Sequence, residues 1–190
     1  MDTSVNDKLA PGFLVAPPPM GDPNFDHTLV LMALHDDNGS LGFVVNRRSN
    51  ISLHALLKEL EIEPHLEDRP VLLGGPVSNS TGFVLYEHPE NAPLAPGMSV
   101  TPTISLSPSK EVLVAAANNR LSGRFELLLG YAGWGPGQLI GELQRGSWLH
   151  AEFDPQLLFD VTLENRWADA YRRLGVSPLG FVNVPGGAFA

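Results

Sequence analysis

The sequence predicts a single α+β domain, and three observations carry that prediction. Strand-like apolar runs come in groups broken by single amphipathic stretches. One pair of runs is joined by a strong hairpin signal, and the regular strand-helix alternation of a doubly wound sheet is missing. With 190 residues, 43% hydrophobic and 17% charged, the chain is long and apolar enough to bury roughly 70% of the surface its unfolded form exposes. No fixed-period repeat or shift of composition marks a second domain. The expected organisation is a flexible arm over residues 1–11, the domain over 12–178, and a Gly- and Pro-bearing extension over 179–190.

The elements follow in order. Gly12-Phe-Leu-Val-Ala16 reads as a strand, which the Pro17-Pro-Pro19 run must end because proline has no N–H to give a ladder; a loop, Met20 to Phe25, follows. His27 to His35 and Leu41 to Asn46 read as paired strands around Asp36-Asp-Asn-Gly-Ser40. Asn38-Gly39 is the favoured pair for a type I′ turn, where both positions take positive φ. Ser52 caps a helix whose Leu53, Leu56, Leu57 and Leu60 form one stripe until Pro64. Val71 to Leu73 and Gly82 to Tyr86 read as strands about the Gly74-Gly-Pro-Val77 turn. Pro89 to Pro102 reads as a proline-rich loop before a short strand near Ile104. A helix starts at Ser107 or Ser109 and runs through Val112, Ala115 and Ala116. Phe125-Glu-Leu-Leu-Leu129 is an almost wholly buried strand, Gln138 to Gln144 a short helix, and Trp148 to Glu152 a strand. Trp167, Ala170, Tyr171 and Leu174 mark a last helix, ended by Gly175.

The motifs that invite chemistry each have a plainer reading. Gly130, Gly133, Gly135 and Gly137 resemble a phosphate cradle, but the required glycine spacing fails, no Gly-Lys-Ser/Thr occurs, and Pro136 lacks the N–H a backbone nest would use. A structural turn with Trp134 packed over small residues is the preferred reading. Gly74-Gly75 reads first as a tight turn, yet a turn after a buried strand can also line a cleft. The six histidines show no ligand spacing, so no metal and no cofactor is expected. His35, at a hairpin mouth, reads as a donor to a nearby carbonyl and is the leading candidate if the chain does chemistry. No Gly-x-Ser-x-Gly elbow occurs, and Asp22, Asp26, Asp36, Asp37, Glu142 and Glu152 read as mostly solvated.

Cysteine is absent, removing disulfides and thiolate metal or redox chemistry, as suits a reducing compartment. The start of the chain lacks the basic and apolar regions of a secretory signal, and no apolar run approaches the length of a membrane span. Cytoplasmic residence and no membrane partner are therefore expected. Twelve lysines and arginines stand against 21 carboxylates, a formal charge of -9 that phosphate repels.

Taken in order, Met20-Gly-Asp-Pro-Asn-Phe25, His35 with Gly39, Gly42 and Asn46, Gly74-Gly-Pro-Val77, and Gly130-Tyr-Ala-Gly-Trp-Gly-Pro-Gly-Gln-Leu139 resemble the AlgH/YqgE family from about Gly12 to Gly175. The resemblance implies a bacterial protein with a bifurcated, largely antiparallel sheet curled into a pseudo-barrel and flanked by helices. Members are commonly labelled transcriptional regulators through a link to control of alginate production, and the resemblance brings no catalytic residues. The chain departs from the pattern at Ile140, where many members resemble Gly-Gln-Leu-Glu, so a carboxylate at that position is not essential here.

The leading functional expectation is a non-enzymatic regulatory protein that binds a small ligand or a protein partner. The site expected is a cleft where His35, Asn46, Gly74, Gly75, Trp134 and Gln138 converge. The alternative is an enzyme acting on a small metabolite at the Gly74 and Trp134 loops. Direct DNA binding ranks last, because the basic residues are scattered and their closest groupings are the pairs Arg47-Arg48 and Arg172-Arg173. At physiological salt the protein should not be retained on duplex DNA in a mobility-shift titration. Salt-dependent retention mapping to Arg47 and Arg48 would reverse that ranking.

Overall fold

The hairpin organises the first half of the chain. In the computed structural model, which describes residues 9–18 and 25–175, β2 (Leu29–Asp36) and β3 (Gly39–Val44) pair antiparallel, with Asp36 opposite Gly39. The turn type differs from the expected one. Asn38 does not take positive φ, and Gly39 alone holds φ at +140°. The cause is Asp36, whose carboxylate accepts the Asn38 N–H at 2.7 Å and closes an Asx turn in place of the two left-handed residues of type I′.

β1 (Gly12–Val15) joins the other edge of β2 and itself pairs with β10 (Leu149–Glu152), while β3 continues to β9 (Phe125–Trp134). On its other side β9 pairs with β6 (Val77–Glu87), which passes to β8 (Ile104–Ser107) and β7 (Met98–Thr101). β4 (Arg48–Ser52) pairs with β5 (Pro70–Leu73), and β5 runs parallel to β9 with Leu72 and Leu73 opposite Leu128 and Leu129. One side of β9 therefore carries two strands, β5 beside its first half and β3 beside residues 132–134. The sheet forks there. β7, last in the order, returns to contact β2, so the forked sheet curls into a half-barrel.

Five helices cover the described sheet: α1 (Leu53–Glu59), α2 (Lys110–Ala117), α3 (Gln138–Gln144), α4 (Pro155–Phe159) and α5 (Leu163–Arg173). The inner core packs Phe13, Leu31, Phe43, Leu72, Leu85 and Leu128 against α4 and α5. α1 and α2 close the outer face of β6 and β9 over Val84, Tyr86 and Leu127, and α3 with Leu9 closes the outer face of β1 to β3 over Leu14, Val30 and Met32. Both faces are thus buried. That is why β2 and β9 read in sequence as near-continuous apolar runs rather than alternating ones.

Ser52 and Ser109 cap α1 and α2 by accepting the N–H groups of Ala55 and Glu111. α1 stops sooner than Pro64 requires, because Leu60 caps it and Glu61 turns left-handed. β7 lies inside the stretch read as a proline-rich loop, and β4 and α4 lie where no element was read. β4 is polar, β7 is an edge strand inside the proline-rich stretch, and α4 is announced by Asp154, which accepts the Gln156 N–H ahead of Pro155. Of the expected arm, residues 1–8 lie outside the described residues and Leu9 is buried; the loop residues 20–24 and the extension 179–190 lie outside them too.

Gly130 marks the fork. Its φ of +72° is left-handed, and a Cβ placed on it would lie 2.6 Å from the Gly75 carbonyl oxygen and 2.8 Å from that of Val77. Gly130→Ala should combine a left-handed penalty of about 1–2 kcal/mol with an overpacking cost of about 1–3 kcal/mol. The urea midpoint should fall by a corresponding amount; an unchanged midpoint would mean the fork tolerates a side chain.

Candidate functional site

The six residues singled out in the sequence fall into three places. His35 is opposite Ser40 on β3, and Ser40 is opposite Trp134 on β9, so the three share one lateral row on the outer face. His35 Nδ1 lies 2.6 Å from Ser40 Oγ. Gln138, at the start of α3, joins this region: its Oε1 accepts the Gly135 N–H at 3.0 Å and its Nε2 donates to Glu142. Asn46 is at the far end of the hairpin, accepting the Leu29 N–H and donating to the His27 carbonyl, both at 2.9 Å. Gly74 and Gly75 are buried at the fork. Both backbone groups of Gly74 are consumed there, its oxygen by Val44 N–H and its N–H by the Leu129 carbonyl, each at 2.7 Å.

Trp134 packs against Trp148 and Phe25 rather than over its neighbouring glycines. The indole N–H groups of both tryptophans donate to the same Glu142 Oε2 at 2.9 Å. Glu142, read as a solvated carboxylate, is in fact the acceptor that orients both rings and holds Gln138.

A different region offers a cleft. It is a cavity of about 1040 Å³ between the loop 64–70, the start of β9 and residues 159–166. Its floor is a charge pair that sequence reading missed. Arg166 and Glu126 are 3% and 7% exposed, and Arg166 Nη2 donates to Glu126 Oε1 at 2.8 Å. The rest of the guanidinium donates to the carbonyls of Val45 at 2.6 Å and Val161 at 3.0 Å. Arg69 approaches the second oxygen of Glu126 at 3.4 Å and lies over the Phe125 ring. On the rim Arg48 donates to Glu164 at 2.6 Å, and that hydrogen bond lowers the carboxyl pKa of Glu164 from its ordinary value. Asp68, on the loop wall, is lowered chiefly by accepting the His54 N–H. Just outside, Arg124 forks onto Glu87, reaches Asp160 and covers the Phe159 ring; its hydrogen bonds lower Glu87, and Glu87 raises Arg124.

The cleft is thus lined by Arg48, Arg69 and Arg166 together with Asp68, Glu126 and Asp160, and by Phe125 and Phe159. Among the described residues no three metal-ligating side chains gather. Glu126 is eight residues from Trp134, so the cleft and the tryptophan region lie roughly 26 Å apart along β9. The signal for this site was present in the sequence: a glutamate inside the apolar run Phe125 to Leu129 needs a buried partner. Which residue that is, 40 positions away, required the fold.

Fold and cleft together define a mixed α/β protein built on one forked half-barrel sheet. The sequence pattern of the AlgH-like family DUF179 matches residues 13–179, and the chain belongs to that family. It is 43% identical over 189 residues to a UPF0301 protein of Anaeromyxobacter dehalogenans, covering 96% of each chain. The solution structure of the AlgH protein from Pseudomonas aeruginosa superposes with a TM-score of 0.76 at 35% identity, over 99% of this chain and 100% of that one. A crystal structure of a Corynebacterium diphtheriae protein shares the fold, with a TM-score of 0.68 at 20% identity over 87% and 86% of the two chains.

Trp134→Ala should act on stability, since truncating a buried tryptophan costs about 3–5 kcal/mol and would also take one donor from Glu142. Thermal unfolding should show a melting temperature lower by many degrees. A shift of only a degree or so would identify the ring as a binding surface instead.

Proposed function

We propose that this protein is a regulatory protein whose cleft over Glu126 and Arg166 works by binding rather than catalysis and receives its ligand, a small molecule or protein loop carrying both charges. One observation carries this reading: the arginines named at the cleft already sit on carboxylates, and those carboxylates accept hydrogen bonds from arginine or from backbone N–H groups. Such a set favours exchange of these ion pairs with an incoming charged ligand. Exposed pairs such as Arg48 with Glu164 are worth little individually, so a ligand loses little by displacing them.

The enzyme reading at the Gly74 and Trp134 loops is less favoured, because Gly74 has spent its backbone groups on the sheet and Glu142 on the two tryptophans. A duplex-reading role is less favoured too. Arg48, Arg172 and Arg173 are engaged with Glu164, Asp169 and Asp154.

Amide chemical-shift titration with a panel of zwitterionic metabolites and mixed-charge peptides tests the proposal. Binders should perturb Arg48, Arg69, Glu126 and Asp160 together, and Arg69→Ala should weaken their Kd by about tenfold, or 1.4 kcal/mol. Binders that perturb only the Trp134 and Gln138 end, or an unchanged Kd in the variant, would move the site away from this cleft.

A further inference from the structure

The chain leaving β6 folds back over the outer face of β8 and β7 and is pinned there at three points. Asn91, left-handed at φ 54°, donates its N–H to the Pro102 carbonyl at 2.7 Å. The Leu94 N–H donates to the Tyr86 hydroxyl at 3.0 Å, and Ser107 Oγ donates to the Pro96 carbonyl at 3.0 Å. Under this strap lies a second cavity of about 450 Å³, walled by Pro93, Leu94, Pro96 and Pro102 and carrying His88, Asn91, Ser99 and Ser105. It shares no residue with the charged cleft.

His88 and Ser105 are both buried, yet both line this cavity. His88 Nδ1 is 2.8 Å from the Pro89 carbonyl oxygen, and Nε2 is 2.8 Å from Ser105 Oγ. A carbonyl oxygen can only accept, so Nδ1 carries the hydrogen. In the neutral ring Nε2 is then bare, and the Ser105 hydroxyl must donate to it. A serine aimed at the bare nitrogen of an imidazole, with ring and tautomer held by a third group, is the geometry nucleophilic serine chemistry requires. The third group here is a carbonyl where hydrolases commonly use a carboxylate. It fixes the tautomer but stabilises an imidazolium less, so the chemistry should be slow.

We propose that Ser105 and His88 form a nucleophilic site that hydrolyses small carboxylic esters with short aliphatic acyl groups, independently of the charged cleft. Ser105 Oγ bonds to the ester carbonyl carbon while its proton passes to His88 Nε2. The tetrahedral adduct collapses, the bond to the alcohol oxygen breaks, and the alcohol departs with the proton from Nε2. Water then attacks the acyl-serine carbonyl, gives a proton to Nε2, and Ser105 leaves with that proton as the carboxylic acid is released. Asn91, which also lines the cavity, is the residue whose amide would donate to the oxyanion. The apolar proline and leucine walls set the preference for a short aliphatic acyl group.

The full chain is incubated with p-nitrophenyl acetate; phenolate release is followed, and the acetyl group is located by peptide mass spectrometry. Acetyl on Ser105 is expected, with release lost in Ser105→Ala, lowered about 100-fold in His88→Gln, and largely kept in Ser99→Ala. Acetyl found only on lysines or the N-terminus, or release equal in wild type and Ser105→Ala, would overturn the proposal. Should either variant fail to fold by circular dichroism, two measurements on the wild type decide. One is the acetylation map, and the other is the nitrogen-15 spectrum of His88, which must show Nδ1 protonated and Nε2 bare. The Nε2-protonated tautomer would overturn the proposal. None of these readouts involves Arg69 or Glu126, so failure here leaves the binding role of the cleft standing.

Discussion

The Glu126–Arg166 pair is the interaction on which the arrangement of this molecule turns. Arg166 comes from α5, Glu126 from the start of β9, and the same guanidinium holds the carbonyls of Val45, just past β3, and Val161. One buried side chain therefore ties the last helix to both arms of the sheet near the fork. Burying two charges carries a desolvation penalty of several kcal/mol per ion, so the pair persists because each of the three guanidinium nitrogens finds an acceptor. Loss of either partner leaves a charge stranded in a low-dielectric interior. The position of α5, the closure of the inner core beneath it and the floor of the cleft all follow from this contact.

The sheet was legible in the sequence to the extent that its strands are buried on both faces. β2, β3 and β9 announced themselves as apolar runs, Ser52 and Gly175 marked helix ends, and of the two serines offered for the start of α2 it is Ser109 that caps it. The elements passed over are those whose residues obey edge rules. β4 is polar because one side of it is unpaired, and β7 hides among prolines because an edge strand tolerates them nearby. The turn at Asn38 was misread because the side-chain carboxylate of Asp36, two residues earlier, outcompeted the backbone preference of the Asn-Gly pair.

Local density of unusual residues proved a poor guide to the cleft. The Gly130 to Leu139 motif is where the sequence looks most specialised, and there the specialised groups satisfy one another: two indoles, an amide and a carboxylate closed into one network. The cleft is assembled from Arg48, Arg69, Glu126 and Arg166, ordinary surface residue types spread along the chain. What distinguishes them is pairing and, for Glu126 and Arg166, burial, neither of which leaves a short-range signature. Only the glutamate inside the Phe125 to Leu129 run betrays that something charged must meet it.

β9 pairs with β3, β5 and β6, making it the strand through which every other part of the sheet is joined. It begins at Phe125, after eight of the ten described strands have already been made. On a ribosome, those earlier strands leave the exit tunnel with their bonding edges open and no central strand to receive them. β3 must wait for 80 further residues of chain, β5 for 51 and β6 for 37, before their common neighbour begins at Phe125. Assembly of the sheet is thus late in synthesis and dominated by long-range pairing, the regime in which folding is slow and open strand edges invite association. The same topology that gives the finished molecule a single, fully joined sheet makes its nascent chain a natural client for chaperones.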